Sequence, residues 1–160
     1  MKKNEISNIL DSITPKLFGL AYAIVGEDLS AEQLIVDAYT VFVVREKNYL
    51  AGLSYDKTIK RERVGMKKYL SREMYQSIFS LAVKRFSSQN SETTDALEFE
   101  QFYELEIKKR AVIYLKEIEG LSVKDLQEVF LLQRHEVIEC IYHTQDHLLS
   151  GINEVVSHEC

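Results

Sequence analysis

The sequence predicts an all-α protein of two small helical domains joined by a polar linker, the second domain a helix-turn-helix. Three observations predict it. The 160 residues include one proline and six glycines, so little interrupts a helical run. Apolar residues recur three and four positions apart along most of the chain, the spacing of one helix face. The stretch Ser87 to Asp95, SSQNSETTD, holds no apolar residue and reads as a linker between two such patterned stretches. The expected division is residues 1–88, a linker at 89–101, and a second domain over 102–160. Hydrophobic residues make up 46% of the chain, enough to build a core.

The first helix carries Ile6, Ile9, Leu10, Ile13, Leu17, Leu20, Ala21 and Ile24 at helical spacing. Pro15 lies inside it, so a restart or a kink is expected there, and Gly26 closes it. The next helix opens with Asp28 or Ser30 as its cap, because Ser30 followed by Gln33 has the capping-box pattern. It is expected to run to about Lys47, with Leu34, Ile35, Ala38, Tyr39, Val41 and Phe42 facing inward. Gly52 and Gly65 mark a less regular stretch. A third helix follows over about Lys67 to Arg85, with Leu70, Met74, Ile78, Leu81 and Ala82 in one stripe. Beyond the linker, one helix is expected over Phe99 to Glu119, ended by Gly120. A short helix capped by Ser122 then reaches about Leu131, and a last one covers about Arg134 to Val156.

Charge is unevenly spread. Residues 1–88 hold 14 Lys/Arg and 10 Asp/Glu; residues 103–160 hold 6 and 11. Phosphate neutralisation supplies most non-specific nucleic-acid affinity, so a nucleic-acid partner suits the first part and not the last. The densest basic run is Lys57 to Arg72, KTIKRERVGMKKYLSR, with seven bases, one acid, and Tyr55, Tyr69 and Tyr75 close by. Bases with interleaved aromatics suit phosphate contact and base stacking; a solvated helix face has the same composition.

There is no glycine-rich phosphate loop, nucleophile elbow or CxxC pair, so enzymatic function is not expected, and no cofactor is implied. Cys140, His143 and His147 share one face of the last helix in ligand-like spacing; no fourth ligand is obvious, though His135 or Glu136 could serve, and no metal is assigned there. The longest apolar runs, such as Leu17 to Val25, fall well short of the about 20 residues of a membrane span. The opening MKKNEISNIL has no signal-peptide core, so a cytoplasmic location is expected, with no membrane partner.

Two segments carry a family pattern. Leu20 to Phe42, LAYAIVGEDLSAEQLIVDAYTVF, is similar to a helix reading Ala-Glu-Asp-Leu-Val-Gln-Glu-x-Phe, matched at Ala31, Glu32, Leu34, Ala38 and Tyr39. Leu115 to Phe130, LKEIEGLSVKDLQEVF, is similar to a second pattern at Glu119, Gly120, Leu121, Ser122, Asp125 and Leu126. Occurring in this order across a polar linker, they resemble regions 2 and 4 of a bacterial RNA polymerase sigma factor of the two-domain, extracytoplasmic-function type. The resemblance implies a transcription initiation protein with two partners, promoter DNA and the beta-prime clamp helices of the polymerase core. It further implies regulation by an anti-sigma or other protein. Polymerase contact then falls to Glu32, Gln33, Val36 and Asp37. DNA contact falls to Lys57, Lys60, Arg61, Arg63, Lys67, Lys68, Tyr69, Arg72, Lys84 and Arg85, with Arg134 and His135 at the start of the last helix. Tyr55, Tyr69 and Tyr75 are the stacking candidates.

The chain departs from the pattern on the last helix. Where the family's reading helix has Lys or Arg, this one has Ile138, Cys140, His143 and Gln145, and Glu136 and Glu139 add acids. Acids facing phosphates repel them. The alternative is therefore a sigma-like interaction module that no longer reads promoters through its second domain, with Ile138, Cys140 and Tyr142 as a protein contact. A plain helical DNA-binding regulator is a third reading.

Overall fold

The computed structural model describes residues 3–52, 59–87 and 99–158, and among these every regular element is a helix. In chain order they are α1 (Lys3–Val25), α2 (Asp28–Gly52), α3 (Ile59–Phe86), α4 (Glu100–Tyr103), α5 (Ile107–Glu117), α6 (Val123–Phe130) and α7 (Arg134–His158). The all-α expectation holds. Most of the expected linker lies outside the described residues; its last two positions, Glu100 and Gln101, begin α4.

Helix α1 passes through Pro15 without a break. The ring is on the exposed side of the helix, and nearby hydroxyls bond back to backbone carbonyls: Ser12 to Ile9 at 2.7 Å and Thr14 to Leu10 at 2.9 Å. Ile6, Ile13, Leu17, Leu20, Ala21 and Ile24 form its buried stripe. Gly26, at φ 74°, turns the chain as only glycine does without strain.

The cap of α2 is neither Asp28 nor Ser30 but Glu27. Its carboxylate accepts the Ser30 backbone N–H at 3.1 Å and the Ser30 hydroxyl, and these bonds hold the carboxyl below its usual range. A carboxylate at a helix N-terminus also answers the helix dipole. Ala31, Leu34, Ile35, Ala38 and Phe42 are buried, and Tyr39 is half-buried, its hydroxyl 2.7 Å from that of Thr14. Val41, expected inward, is instead exposed.

Helix α3 begins at Ile59, eight residues before the expected Lys67, and runs through Gly65. An interior glycine costs only about 1 kcal/mol against alanine, and the helix formers around it outweigh that. Tyr75 joins Leu70, Met74, Ile78 and Ala82 in the core, so it is no stacking residue; burial raises its hydroxyl pKa strongly.

The helix expected over Phe99 to Glu119 is broken at Glu104 to Glu106. Leu105 is buried at this bend and its N–H turns back to the Phe102 carbonyl, so tertiary packing overrides local propensity. Helix α5 ends in a left-handed glycine turn: Gly120 takes φ 69° and the Leu121 N–H reaches back to the Leu115 carbonyl at 2.9 Å. Ser122 then caps α6 as expected, in a full capping box with Asp125. Leu131, in the left-handed region at φ 54°, turns the chain into α7.

Helices α1, α2 and α3 pack on one another; α5 packs on α1 and α3, α6 on α3, and α7 on α4, α5 and α6. Their buried side chains form one cluster, from Ile6 and Phe42 through Ile78 to Leu115, Leu126 and Val137. At the junction Phe79 meets Phe130 edge to face, with ring centroids 4.9 Å apart, and Tyr114 lies against Gly19 where any larger residue would meet it.

Candidate nucleic-acid and partner interfaces

The basic residues singled out in the sequence fall in separate places. Lys57 and Tyr55 lie outside the described residues, and Lys60, Arg61 and Arg63 lie in the first turns of α3, their side chains outside the description. Lys67 and Lys68 are exposed midway along α3. One turn on, the Arg72 guanidinium lies 5.7 Å from the centre of the half-buried Tyr69 ring. Lys84 and Arg85 sit in the last turn of α3, Lys84 about 24 Å beyond Lys68 at the usual helical rise. Arg134 and His135 are exposed at the start of α7. Lys68 and Lys84 are thus too far apart for one compact patch.

Several of these bases are already paired. Lys68 meets Asp125 at 2.8 Å and Arg72 meets Glu128 at 2.7 Å, both acids on α6. Arg85 pairs with Asp37 of α2. Beyond the singled-out set, Lys16 of α1 meets Glu119 at 3.4 Å. Hydrogen bonding to Asp125 raises the Lys68 pKa, and the same bond, together with the Ser122 hydroxyl, holds the Asp125 carboxyl low. Asp125 therefore has two tasks, capping α6 and pairing with Lys68. A cleft of about 360 Å³ opens between the two halves of the chain; Lys16, Lys68, Arg72 and Tyr75 line it on one side, Glu119, Asp125 and Glu128 on the other. The three acids were not foreseen as functional. The one sequence signal for them is the opposite net charge of the two halves.

The residues assigned to polymerase contact share the outward side of α2. Glu32, Gln33 and Val36 are exposed, while Asp37 is half-buried, accepting from the Gln33 amide at 3.0 Å besides pairing with Arg85. With them stand large apolar side chains open to solvent: Leu29 is 71% exposed, Val36 57%, Val43 52% and Val44 73%. Sequence reading placed Val36 here and missed the other three. They were detectable, because α2 carries apolar residues around most of its circumference.

The start of α7 differs from expectation. The Glu136 carboxylate accepts the Gln133 N–H at 2.7 Å, which makes it part of the helix start. Cys140 is buried, so it is no part of an exposed contact, and burial pushes its thiol pKa up. Ile138 and Tyr142 do face solvent, joined by Leu149. His143 and His147 are exposed and lie near Glu139 and Glu104 at 3.5 and 3.7 Å. Among the described residues no three histidine, cysteine or acidic side chains cluster as a metal site.

No described helix is long and apolar enough to cross a membrane. No protein-family model matches the chain. No curated protein matches it either.

Proposed function

We propose that this chain is a sigma-like transcription initiation protein of the cytoplasm, which docks on RNA polymerase core through the outer side of α2 and takes promoter DNA on α3. The observation that carries the reading is the apolar outer side of α2. Leu29, Val36 and Val43 recur every seven residues and so stand in one row along the helix, with polar Gln33 and Thr40 between them. Such a row of exposed apolar side chains marks a partner surface. The resemblance assigns this same side to a pair of polymerase helices. DNA contact then rests on the exposed Lys67, which has no ion-pair partner among the described residues, and on Lys60, Arg61 and Arg63. In this reading α6 and α7 form the region 4-like helix-turn-helix, and the protein has no catalytic role. An anti-sigma or other protein regulator is the further partner of the same docking side.

The alternative, an interaction module acting through protein partners alone, draws on α7. Ile138, Tyr142 and Leu149 project from its outer side, and no lysine or arginine follows Arg134. One experiment separates the two. The purified chain is mixed with bacterial core polymerase and run through gel filtration, then tested for promoter-dependent transcription. Co-elution with transcription is the expected result. Co-elution without transcription favours the module, and no co-elution removes the initiation reading. Val36→Asp is expected to abolish co-elution while leaving the helical circular dichroism unchanged.

A further inference from the structure

Among the described residues three ion pairs join the first half of the chain to the second, and all run the same way. The bases, Lys16, Lys68 and Arg72, belong to α1 and α3. The acids, Glu119, Asp125 and Glu128, belong to the turn after α5 and to α6. Two of the bases are ones on which nucleic-acid contact was expected. The carboxylates stand 2.7 to 2.8 Å from Lys68 and Arg72, where phosphate oxygens would stand.

The geometry points to an intramolecular cover, in which the acidic rim of Glu119, Asp125 and Glu128 occupies Lys16 of α1 and Lys68 and Arg72 of α3 and competes with nucleic acid for them. This rests on the reading that α3 takes DNA. The rim is preorganised, since the capping box fixes Asp125 at the start of α6 whether or not Lys68 is present. It is also displaceable. The two pairs on α3 line an open cleft, and the Lys68, Arg72 and Glu128 side chains are 71%, 37% and 38% exposed, so water and salt reach them, whereas the Glu119 side chain is 9% exposed and is the most sheltered of the rim. Next to them Lys67 is exposed and has no acid beside it among the described residues. The folded chain therefore offers nucleic acid a reduced set of cations. A polyanion that displaces the carboxylates from these side chains, with α6 left in the core, restores the full set. The opposite charges of the two halves become two sides of one contact.

The test uses the full chain and a fluorescent, mixed-sequence single-stranded DNA, with anisotropy read across a salt series. Glu119→Gln with Glu128→Gln removes two charges of the rim and keeps side-chain size, and Asp125 stays in place to cap α6. This double variant is expected to bind about tenfold more tightly at low salt, with a salt slope steeper by about two. Adding Arg72→Ala should remove most of the gain. The swapped pair Arg72→Glu with Glu128→Arg keeps the ion pair and the net charge, and should bind as the unaltered chain does. If the double variant unfolds, Glu128→Gln alone is read, with an expected gain of about threefold. Unchanged affinity in the folded variant, with Lys67→Ala still weakening binding, overturns the cover and leaves α3 as the nucleic-acid face. Absence of DNA binding by every variant, with Lys67→Ala without effect, overturns both.

Discussion

Two faces of the first half of the molecule, both read from the sequence as contact surfaces, stand in different states. On α3 the cations Lys68 and Arg72 are matched one to one by acids from α6. On α2 the apolar side chains Leu29, Val36 and Val43 stay largely exposed to water. A basic run in a sequence states how much positive charge is present, and the fold decides how much is available. An apolar residue on a helix whose opposite side already fills the core has no intramolecular use left. The α2 side is therefore the stronger mark of a partner, and the α3 side is the stronger candidate for control.

The difference can be broken at its root by loosening the packing that holds α6 on α3. Leu115 is fully buried in the core shared by both halves, and Leu115→Ala is expected to cost about 2–5 kcal/mol. In hydrogen exchange the amides of α1 and α5 should lose protection together; loss confined to α5 and later helices would show that the halves are stabilised separately. A smaller change weakens the cover alone. Ser122→Ala removes the α6 cap at a cost of about 1 kcal/mol by urea unfolding, and should raise DNA affinity by freeing Asp125 from its fixed position. Val36→Asp leaves the cover intact and is expected to shift stability by no more than about 0.5 kcal/mol, since the site is exposed. A larger loss would mean that Val36 packs inside the protein.

The smallest effect is one of pH. The Asp125 carboxyl is held below its ordinary range, mainly by Lys68 and then by Ser122. Its folded value is the lower one, so its contribution to stability is full above the unfolded-chain value and is lost as pH falls through the folded value. Acidification below about pH 4 should therefore weaken α6 in the natural chain more than in Asp125→Asn, read as the urea midpoint against pH.

Local signals were legible where local physics decides. The α1 stripe, the stop at Gly26, the turn at Gly120 and the Ser122 cap all follow from spacing and backbone preference. Glu27 was missed as a cap because Asp28 and Ser30 are better capping residues in general; the side chain that reaches the free N–H is known only from the geometry. The bend at Leu105 and the burial of Tyr75 and Cys140 come from packing between distant segments, which periodicity does not report. The ion pairs were the least legible part, because Lys68 and Asp125 are 57 positions apart and meet only when α6 lies on α3.

Neighbouring Lys67 and Lys68 allow the most direct test. They stand side by side on α3, both exposed, and differ in that Lys68 has Asp125 at 2.8 Å. Competitive labelling of the folded chain with a limiting amine-reactive acetylating agent, read by mass spectrometry, compares them within one molecule. The account predicts that Lys68 reacts several-fold more slowly than Lys67, because its ammonium is held in the pair, and that Asp125→Asn brings the two rates together. Equal rates in the natural chain would contradict it.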